Sequence, residues 1–266
     1  LVRIQSSRPI FSSLLMTAKT ASDIRLMEQA GRLAAEALLY TGKHVRAGIT
    51  TAELDQLADD FIQTRGAKSA CTGYHGYPKA ICTSVNEVIC HGVPDSRVLK
   101  DLDIINIDIT VLLKGFHGDT SSMFFVGTPT ARAQKLADCA FGAMNKGIDA
   151  ARAGAFTGDI GFAVEKFVNR SGYYAVREIG GHGIGRIFHE EPFVPSFGKK
   201  GKGARLVKYG TITVEPMINE TSAPIREFEI PGSEITIFTT SDGKWSAQYE
   251  HTILITDGEA QILTRV

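Results

Sequence analysis

The pattern of apolar and polar positions is most strand-like in residues 104–113, which are rich in β-branched and apolar side chains. This composition is typical of a buried β-strand. Lys114 and Gly115 follow and suit a two-residue turn that returns the chain as a second strand over 116–126. The resulting hairpin makes Asp108 and Asp119 diagonal neighbours on one sheet face, about 7–8 Å apart at Cα.

Four segments carry apolar residues at helical spacing. The clearest start is Thr50, because Glu53 follows three positions later and completes a capping box. The predicted helices begin at Ser22-Asp23, run from Thr50 to near Gly66, and occupy 130–152 and 157–171. Further strands are predicted near 80–90, 173–178, 211–218 and 247–256, and surface loops at 194–209 and 221–234.

The order of these elements, two helices followed by strands, occurs twice. It predicts an α+β fold with an internal duplication of about 110 residues, whose two sheets meet across a pseudo-twofold axis. No low-complexity linker separates the halves. Residues 16–266 are therefore expected to form a single domain.

Charged residues interrupt strand-like or glycine-lined segments at several positions. A carboxylate in an apolar strand must be paired or metal-bound to be tolerated. One such residue is more often at a strand edge than a ligand, but several departures together indicate a functional site. The candidate ligands are Asp108, Asp119, His182, Glu215 and Glu250. Four acids with one imidazole suit two divalent transition ions, such as Mn, Fe, Co or Zn, bridged by carboxylates and a water.

The overall charge is balanced, with 29 Lys plus Arg and 29 Asp plus Glu. No net field therefore favours nucleic acid or an anionic membrane. No stretch approaches the roughly 18 apolar residues of a membrane span. The lysine run at 199–202 is interpreted as solvated rather than as a phosphate site, and the glycines at 181–185 lack dinucleotide-binding spacing.

The four cysteines, Cys71, Cys82, Cys90 and Cys139, show neither C-x-x-C spacing nor the density of a secreted disulfide scaffold. They fit a reducing cytoplasm, with the thiols as small core or pocket-lining groups. Cys90 beside His91 could act as a nucleophile, but the apolar run before Cys90 favours core packing.

Residues 1–15 contain Arg3, Arg8 and four serines but no acid, which faintly resembles a transit peptide. Because Met16 is the first methionine and the chain opens on Leu1, we interpret this segment as a non-native or leader extension. The transit interpretation stays open.

Eight motifs, in order and with family-like spacing from about Met16 to the C-terminus, closely resemble type I methionine aminopeptidases of peptidase family M24. They are Tyr-His-Gly-Tyr-Pro-Lys (74–79), Cys-His-Gly-Val-Pro-Asp (90–95), Asn-Ile-Asp-Ile-Thr (106–110), His-Gly-Asp-Thr-Ser (117–121), Gly-His-Gly-Ile-Gly-Arg (181–186), Phe-His-Glu-Glu-Pro (188–192), Val-Glu-Pro-Met (214–217) and Ser-Ala-Gln-Tyr-Glu-His-Thr (246–252). The resemblance implies the pita-bread fold and removal of the initiator methionine from nascent chains.

The resemblance also implies roles for individual residues. It carries the ligand roles over to the five candidates above, with Glu215 as the acid or base beside a bridging water. His91 would contact substrate near the scissile nitrogen and His189 the peptide beyond the cut, and both could donate to the developing oxyanion. Residues that match pocket-lining positions are Tyr74, Tyr77, Cys71, Cys82 and Phe188. A monovalent cation is implied near Asn86, Asn106 and Ser246.

The sequence departs from the family at one pocket wall. A tryptophan that the family commonly carries falls on Thr236 here, and the sole tryptophan, Trp245, is displaced from that place. The selectivity for methionine is therefore open at this wall.

Two other functions compete with this one. A related pita-bread peptidase that cuts before proline would share the ligands, but such enzymes usually carry a large N-terminal domain for which there is no room. A metal-free peptide-binding module would be expected to lose ligands, whereas this chain keeps all five. The expected partners are N-terminal peptides of nascent proteins, with transient ribosome contact, and the protein is expected to be a cytoplasmic monomer.

Overall fold

A computed structural model of the chain describes residues 2–3 and 16–266. The helices are α1 (Ala21–Gly42), α2 (Thr51–Gln63), α3 (Ala131–Ala150) and α4 (Thr157–Arg170), with a short 3-10 turn at Tyr74–Gly76. The strands of the first half and the N-terminus are β1 (Val2–Arg3), β2 (Lys68–Ser69), β3 (Cys82–Val85), β4 (Val88–Cys90), β5 (Ile104–Leu113) and β6 (Phe116–Phe125). The strands of the second half are β7 (Tyr174–Ala175), β8 (Ile179–Gly183), β9 (Glu190–Val194), β10 (Thr211–Val214), β11 (Met217–Asn219), β12 (Ile225–Glu229), β13 (Thr236–Thr240), β14 (Ser246–Gln248), β15 (Glu250–Leu254) and β16 (Gln261–Ile262).

The helix starts follow from side-chain capping. At α2 the Thr50 hydroxyl accepts from the Glu53 amide, and the Glu53 carboxylate accepts from the Thr50 amide at 2.7 Å, so the predicted capping box is confirmed. The predicted start of α1 at Ser22-Asp23 is wrong by two residues. Thr20 is the cap, because its hydroxyl accepts from the Asp23 amide.

The β5–β6 hairpin has the predicted register. Leu113 pairs with Phe116, and Asp108 pairs with Ser121. Lys114 and Gly115 both have positive φ, 51° and 79°, as a type I′ turn requires. The two carboxylates of Asp108 and Asp119 therefore lie on the same sheet face.

One ten-stranded sheet joins the two halves of the chain. Its order is β1-β8-β10-β15-β6-β5-β2, with β3 also on β5, β9 on β8 and β16 on β15. The β6–β15 pairing lies at the centre, and β5 and β10 flank it on either side. The fold is the pita-bread fold with pseudo-twofold halves. The two predicted sheets meet at this pairing and are continuous through it, because β6 and β15 satisfy each other's backbone groups instead of ending as edges.

Each half has its own core against this sheet. Leu54 and Ile62 of α2 pack with Ile107 of β5. Leu136 of α3 and Val164 of α4 pack in a second cluster on the other half. The buried acids of the central strands, Asp119 of β6 and Glu250 of β15, lie outside both apolar clusters.

The second half differs most from the sequence prediction. The strand predicted at 173–178 is only Tyr174–Ala175, and the segments 211–218 and 247–256 each split in two, the first at Glu215-Pro216 where proline lacks a ladder donor. The strands β8, β9 and β13 were not predicted, and the loop predicted at 221–234 contains β12. β12 is mostly exposed, which removes the apolar alternation that would mark it.

The predicted leader lies outside the described residues, apart from Val2–Arg3, whose backbone pairs with Ile179–Gly180 of β8. Among the described helices, none combines the length and the apolar character needed to cross a membrane.

Candidate metal centre and adjoining pocket

The five candidate ligands come from both halves of the sheet. Asp108 lies in β5 and Asp119 in β6, while His182 lies in β8, Glu215 follows β10 and Glu250 begins β15. His182 and Glu250 are 0% and 1% exposed. The central pairing of Glu250 with Ser121, which itself pairs with Asp108, brings the two halves' acids to one place.

Distances within this group are those of residues that share a centre. His182 Nε2 lies 3.6 Å from Asp119 Oδ2 and 3.6 Å from Glu215 Oε1. One ligand atom each from Asp119, His182 and Glu250 lies within 4.8 Å of the others. Asp108 and Glu215 line the same cavity. The structure thus brings together all five residues that the sequence selected.

The hydrogen bonding of His182 fixes which nitrogen faces the acids. Its Nδ1 lies 2.8 Å from the Gly183 carbonyl oxygen, so Nδ1 carries the proton and donates. Nε2 is then unprotonated and carries a lone pair. Both Nε2 and Glu250 Oε1 are buried without a hydrogen-bond partner among the described residues. Acceptors that converge with no donor between them fit a divalent cation, since each can supply a coordinating electron pair.

The pKa values lead to the same conclusion. Burial, followed by the charge of Asp119, raises the pKa of Asp108 and of Glu250 well above the usual carboxyl range. Burial also raises the pKa of Glu215 to about 8 and lowers the pKa of His182. Low dielectric and like charges therefore disfavour ionised acids here unless a cation compensates them.

Three further residues orient these acids and were missed in the sequence. The Thr110 hydroxyl donates to Asp119 Oδ1 at 2.7 Å. The Thr213 hydroxyl donates to Glu215 Oε1 at 2.7 Å, and Gln248 Nε2 donates to Glu215 Oε2 at 3.2 Å. Thr110 and Thr213 carried a usable signal, because the hairpin register places Thr110 opposite Asp119 and the period-2 pleat places Thr213 on the face of Glu215.

Steric crowding explains why glycines flank His182. A Cβ on Gly181 would lie 2.5 Å from the Thr213 carbonyl oxygen, and one on Gly183 would lie 2.2 Å from the Glu191 carbonyl oxygen. Neighbouring strands therefore approach β8 more closely than any side chain permits. This close approach holds the imidazole at the centre.

A mostly apolar pocket opens beside the acids. Cys71, Tyr77, Cys82 and Phe188 pack there as one cluster, and Tyr74 is partly buried against it. All five residues that the resemblance placed in the pocket line the same cavity as the acids. Their roles as a methionine pocket remain a prediction.

The wall where the family has tryptophan is built differently. Ile235, which the sequence analysis missed, lines the cavity next to Thr236. Trp245 lies elsewhere and packs under the Arg132 guanidinium, 4.0 Å from the ring centroid. A branched aliphatic side chain thus stands beside the place of the missing ring.

Two histidines border the cavity, and each has a hydrogen-bond partner at Nδ1. His91 Nδ1 lies 2.8 Å from the Thr236 carbonyl oxygen, and burial lowers the pKa of His91 to about 4. His189 Nδ1 lies 2.7 Å from the Tyr74 hydroxyl, its ring stacks on Phe188 at 4.1 Å, and burial lowers its pKa as well. Both rings are neutral at neutral pH.

A second cavity is larger than the one beside the acids. A groove of about 860 Å³ lies between α3 and α4, whereas the cavity beside the acids measures about 40 Å³. The groove is lined by basic and aromatic side chains such as Lys166, Arg170 and Phe162 and by none of the candidate ligands. The candidate metal ligands, rather than the cavity volume, therefore identify the site.

The residues predicted for a monovalent cation lie in one neighbourhood. The Ser246 amide donates to the Asn86 carbonyl oxygen at 2.9 Å. Asn106 donates through Nδ2 to the Gln248 carbonyl oxygen at 2.9 Å. The Asn86 side-chain oxygen accepts from the Ile104 amide at 3.0 Å.

Cys90 does not have the surroundings of a nucleophile. It is buried with Phe238 in a core cluster, and burial raises its pKa well above the usual thiol range. All four cysteines are free and buried. Core packing, the favoured interpretation of Cys90, agrees with this environment.

Comparison with known proteins gives this fold and site a family. The model of metallopeptidase family M24 matches residues 25–257, and the chain belongs to this family. The methionine aminopeptidase of Escherichia coli (strain K12) is 45% identical over 253 residues, which cover 94% of each chain.

Solved structures agree. The crystal structure of methionine aminopeptidase from Rickettsia prowazekii matches with a TM-score of 0.91 and 41% identity over 94% of this chain and 100% of that one. The enzyme from Thermotoga maritima matches with a TM-score of 0.90 and 33% identity over 95% of this chain and 100% of that one.

Proposed function

We propose that this protein is a metal-dependent aminopeptidase that removes the N-terminal methionine from newly made proteins. The observation that carries the proposal is a buried cluster of four acids and one imidazole that opens into an apolar pocket containing two thiols. Membership of metallopeptidase family M24 and the similarity to methionine aminopeptidases support it. A related enzyme that cuts before proline is the weaker candidate, because the relatives at 41–45% identity are methionine aminopeptidases.

The donor set suits two divalent ions such as Mn, Fe, Co or Zn. Asp108, Asp119, His182, Glu215 and Glu250 would hold them. When bound, such ions polarise a carbonyl and lower the pKa of a coordinated water. Thr110 and Thr213 keep two of the carboxylates in place by donating to them, and this fixed orientation is what outer-shell hydrogen bonds supply in metal sites.

Glu215 is the group that we assign to proton transfer. Its two oxygens are held by different donors, Thr213 and Gln248, and its carboxylate lines the cavity. A carboxylate positioned beside the reacting water can take and return a proton. It would accept the proton of the attacking water and return it to the departing amine.

The two histidines contribute opposite hydrogen bonds. His91 donates through Nδ1 to Thr236, so its Nε2 is an acceptor suited to a peptide N–H beside the cut bond. His189 Nδ1 and the Tyr74 hydroxyl share a hydrogen bond at 2.7 Å, in which either group can be the donor. In the tautomer with the proton on Nε2, His189 would be suited to donate to a carbonyl or developing oxyanion. We therefore assign the donor role toward the oxyanion to His189 and an acceptor role to His91.

The apolar pocket would take the methionine side chain. A flexible thioether packs well against thiols and ring edges, which Cys71, Cys82 and Tyr77 provide. Ile235 replaces part of the missing tryptophan wall. We expect the side chain to be accepted through shape and polarisability rather than through hydrogen bonds.

The proposal includes the setting that the sequence predicts. The protein would work as a cytoplasmic monomer on nascent N-termini, with transient ribosome contact. A monovalent cation near Asn86, Asn106 and Ser246 would brace β14 against the turn after β3.

The direct test is hydrolysis of Met-Ala-Ser and Ala-Pro-Ser by the metal-free protein and after addition of Mn, Fe, Co or Zn. We expect release of methionine from the first peptide, only with metal, and no cleavage of the second. Turnover of Ala-Pro-Ser alone would favour the prolyl enzyme. No turnover of either peptide under any metal would refute peptidase activity and favour a peptide-binding module.

A further inference from the structure

The two thiols in the pocket form a pair with chemistry of its own. We propose that Cys71 and Cys82 are a peroxide-sensitive dithiol, and that their oxidation to a disulfide closes the pocket beside the metal centre. The closure rests on the proposed function, whereas disulfide formation does not.

The backbone places the two cysteines side by side. β2 and β3 both pair with the same edge of β5: Ser69 lies opposite Val111 and Cys82 opposite Asp108. The chain between these contacts leaves β5 just before Cys71, where the Ala70 amide donates to the Thr110 carbonyl oxygen at 2.9 Å. Cys71 and Cys82 therefore follow each other along one strand edge.

Local hydrogen bonds hold this arrangement. The Ser69 hydroxyl donates to the Ala80 carbonyl oxygen at 2.5 Å and accepts from the Cys71 amide at 3.1 Å, which ties the two cysteine-bearing segments together. The two side chains belong to one packed cluster, and each thiol interacts directly with the other. The two thiols are therefore neighbours in the pocket wall.

The pair shares the wall of one cavity, which neither of the other thiols lines. Cys71 and Cys82 are 8% and 7% exposed. Cys90 is 1% exposed in a separate core cluster. Cys139 lies on α3, in the other half of the fold, and lines a different surface pocket that contains no second cysteine. A small oxidant that enters the pocket therefore meets two thiols at once.

The chemistry balances with hydrogen peroxide as the oxidant. One thiol sulfur attacks a peroxide oxygen, the O–O bond breaks, and a sulfenic acid and water form. The second thiol sulfur then attacks the sulfenic sulfur, the S–S bond forms, and a second water leaves with the remaining proton. Two thiols are oxidised and one peroxide is reduced to two waters. A dithiol reductant reverses the change by thiol–disulfide exchange.

Oxidation would reach the acids as well as the pocket. The Cys71 thiol donates to the Thr110 hydroxyl at 3.9 Å, and Thr110 donates to Asp119 at 2.7 Å. A disulfide removes the S–H donor and fixes both sulfurs against each other, so they no longer yield to an entering thioether. The expected consequence is a higher KM for a methionyl peptide.

The test uses the full chain, stripped of metal with a chelator so that bound ions do not catalyse oxidation. After exposure to hydrogen peroxide, intact mass should fall by two hydrogen atoms, and peptide mapping under non-reducing conditions should find Cys71 joined to Cys82. Cys71→Ala and Cys82→Ala should each abolish this loss. Cys139→Ala, a matched change far from the pocket, should leave it intact.

Activity is then measured after peroxide is removed and metal is restored. We expect kcat/KM for Met-Ala-Ser to fall at least about tenfold, mainly through KM, and to recover with dithiothreitol. Oxygen addition at single cysteines without a cross-link, or no mass change, would overturn the proposal. A cross-link with unchanged KM would overturn pocket closure. Absence of activity even in the reduced protein would instead refute the proposed function and leave the mass result valid.

Discussion

The metal centre and the adjoining pocket touch each other but are built by opposite means. The centre is made of charged residues at regular positions in five strands or strand ends, and two of the carboxylates, those of Asp119 and Glu215, are oriented by a threonine on the same sheet. The pocket is made of apolar side chains from loops and strand edges, such as Tyr74 and Ile235, which pack without a common register. The comparison teaches that the reaction is fixed by the sheet, whereas the choice of side chain depends on segments that can vary without disturbing it.

The largest effect is expected at the centre. Glu215→Gln keeps the shape and the bond from Thr213 but removes the group that moves protons, so kcat for Met-Ala-Ser should fall by about 10²–10⁴. Steady-state kinetics at saturating metal measure this loss. Glu220→Gln, at the Arg132 ion pair, is the matched control and should change kcat less than twofold. A Glu215→Gln variant with normal kcat would remove Glu215 from the chemistry.

Metal affinity should depend steeply on pH. Burial raises the pKa of Glu215 to about 8, so below that pH the metal-free protein holds a proton that a metal ion must displace. Affinity should therefore increase from pH 6 to 8, by about tenfold per pH unit for each proton displaced. Calorimetric titration in several buffers gives both the affinity and the protons released. Affinity that is constant or decreasing over this range would contradict the buried acid cluster.

Removing one hydrogen bond that orients a ligand should lower the metal affinity without abolishing metal binding. Thr110→Val deletes the hydroxyl that donates to Asp119 while preserving volume and strand propensity. Metal affinity should fall by about 10–100-fold, the usual cost of an outer-shell partner. A competition assay with a chelating dye reads this directly. Thr128→Val, at an exposed position, is the control, and an equal loss in both variants would argue against a specific bond.

The pocket should change selectivity while leaving the metal in place. Ile235→Ala removes apolar surface from the wall beside Thr236. We expect kcat/KM for Met-Ala-Ser to fall by about tenfold, consistent with about 1–3 kcal/mol for small apolar differences. Metal affinity should be unchanged. If metal affinity falls with kcat/KM, the pocket and the centre are not separable in the way described above.

The smallest effect concerns the scaffold. Thr50→Ala removes the cap of α2, far from the acids, and should lower the free energy of unfolding by about 1 kcal/mol with unchanged kcat. Chemical denaturation monitored by circular dichroism measures it. Thr64→Ala, at the other end of α2, provides the comparison, because Thr64 does not cap the helix start. A large loss of activity in Thr50→Ala would show that the start of α2 affects the site, contrary to this prediction.

The centre was predictable from sequence for a physical reason. Asp108 interrupts an apolar strand, and the two-residue turn at Lys114-Gly115 fixes its register with β6, so both the anomaly and its partner Asp119 are local. The pairing of β6 with β15 joins residues 130 positions apart, and no local pattern encodes it. The ligands of the second half were selected one by one, because each interrupts a strand-like or glycine-lined segment, and the resemblance then carried the same roles over to them.

Other parts of the fold and site could not be predicted from the sequence, because they depend on tertiary contacts. β12 is exposed and so lacks alternation, and β8 is glycine-rich because neighbouring strands crowd it. Ile235 immediately precedes β13 and has no distinguishing feature in the sequence. It lines the cavity only because of the tertiary position of β13. Gln248 is a buried amide in a three-residue strand, and its role appears only when Glu215 is seen beside it.

The most direct measurement is anomalous diffraction from crystals loaded with manganese or zinc. The account predicts two peaks enclosed by Asp108, Asp119, His182, Glu215 and Glu250, each with ligand atoms at about 2.0–2.3 Å. Peaks held by other residues, or no peak among these five side chains at saturating metal, would contradict the central claim.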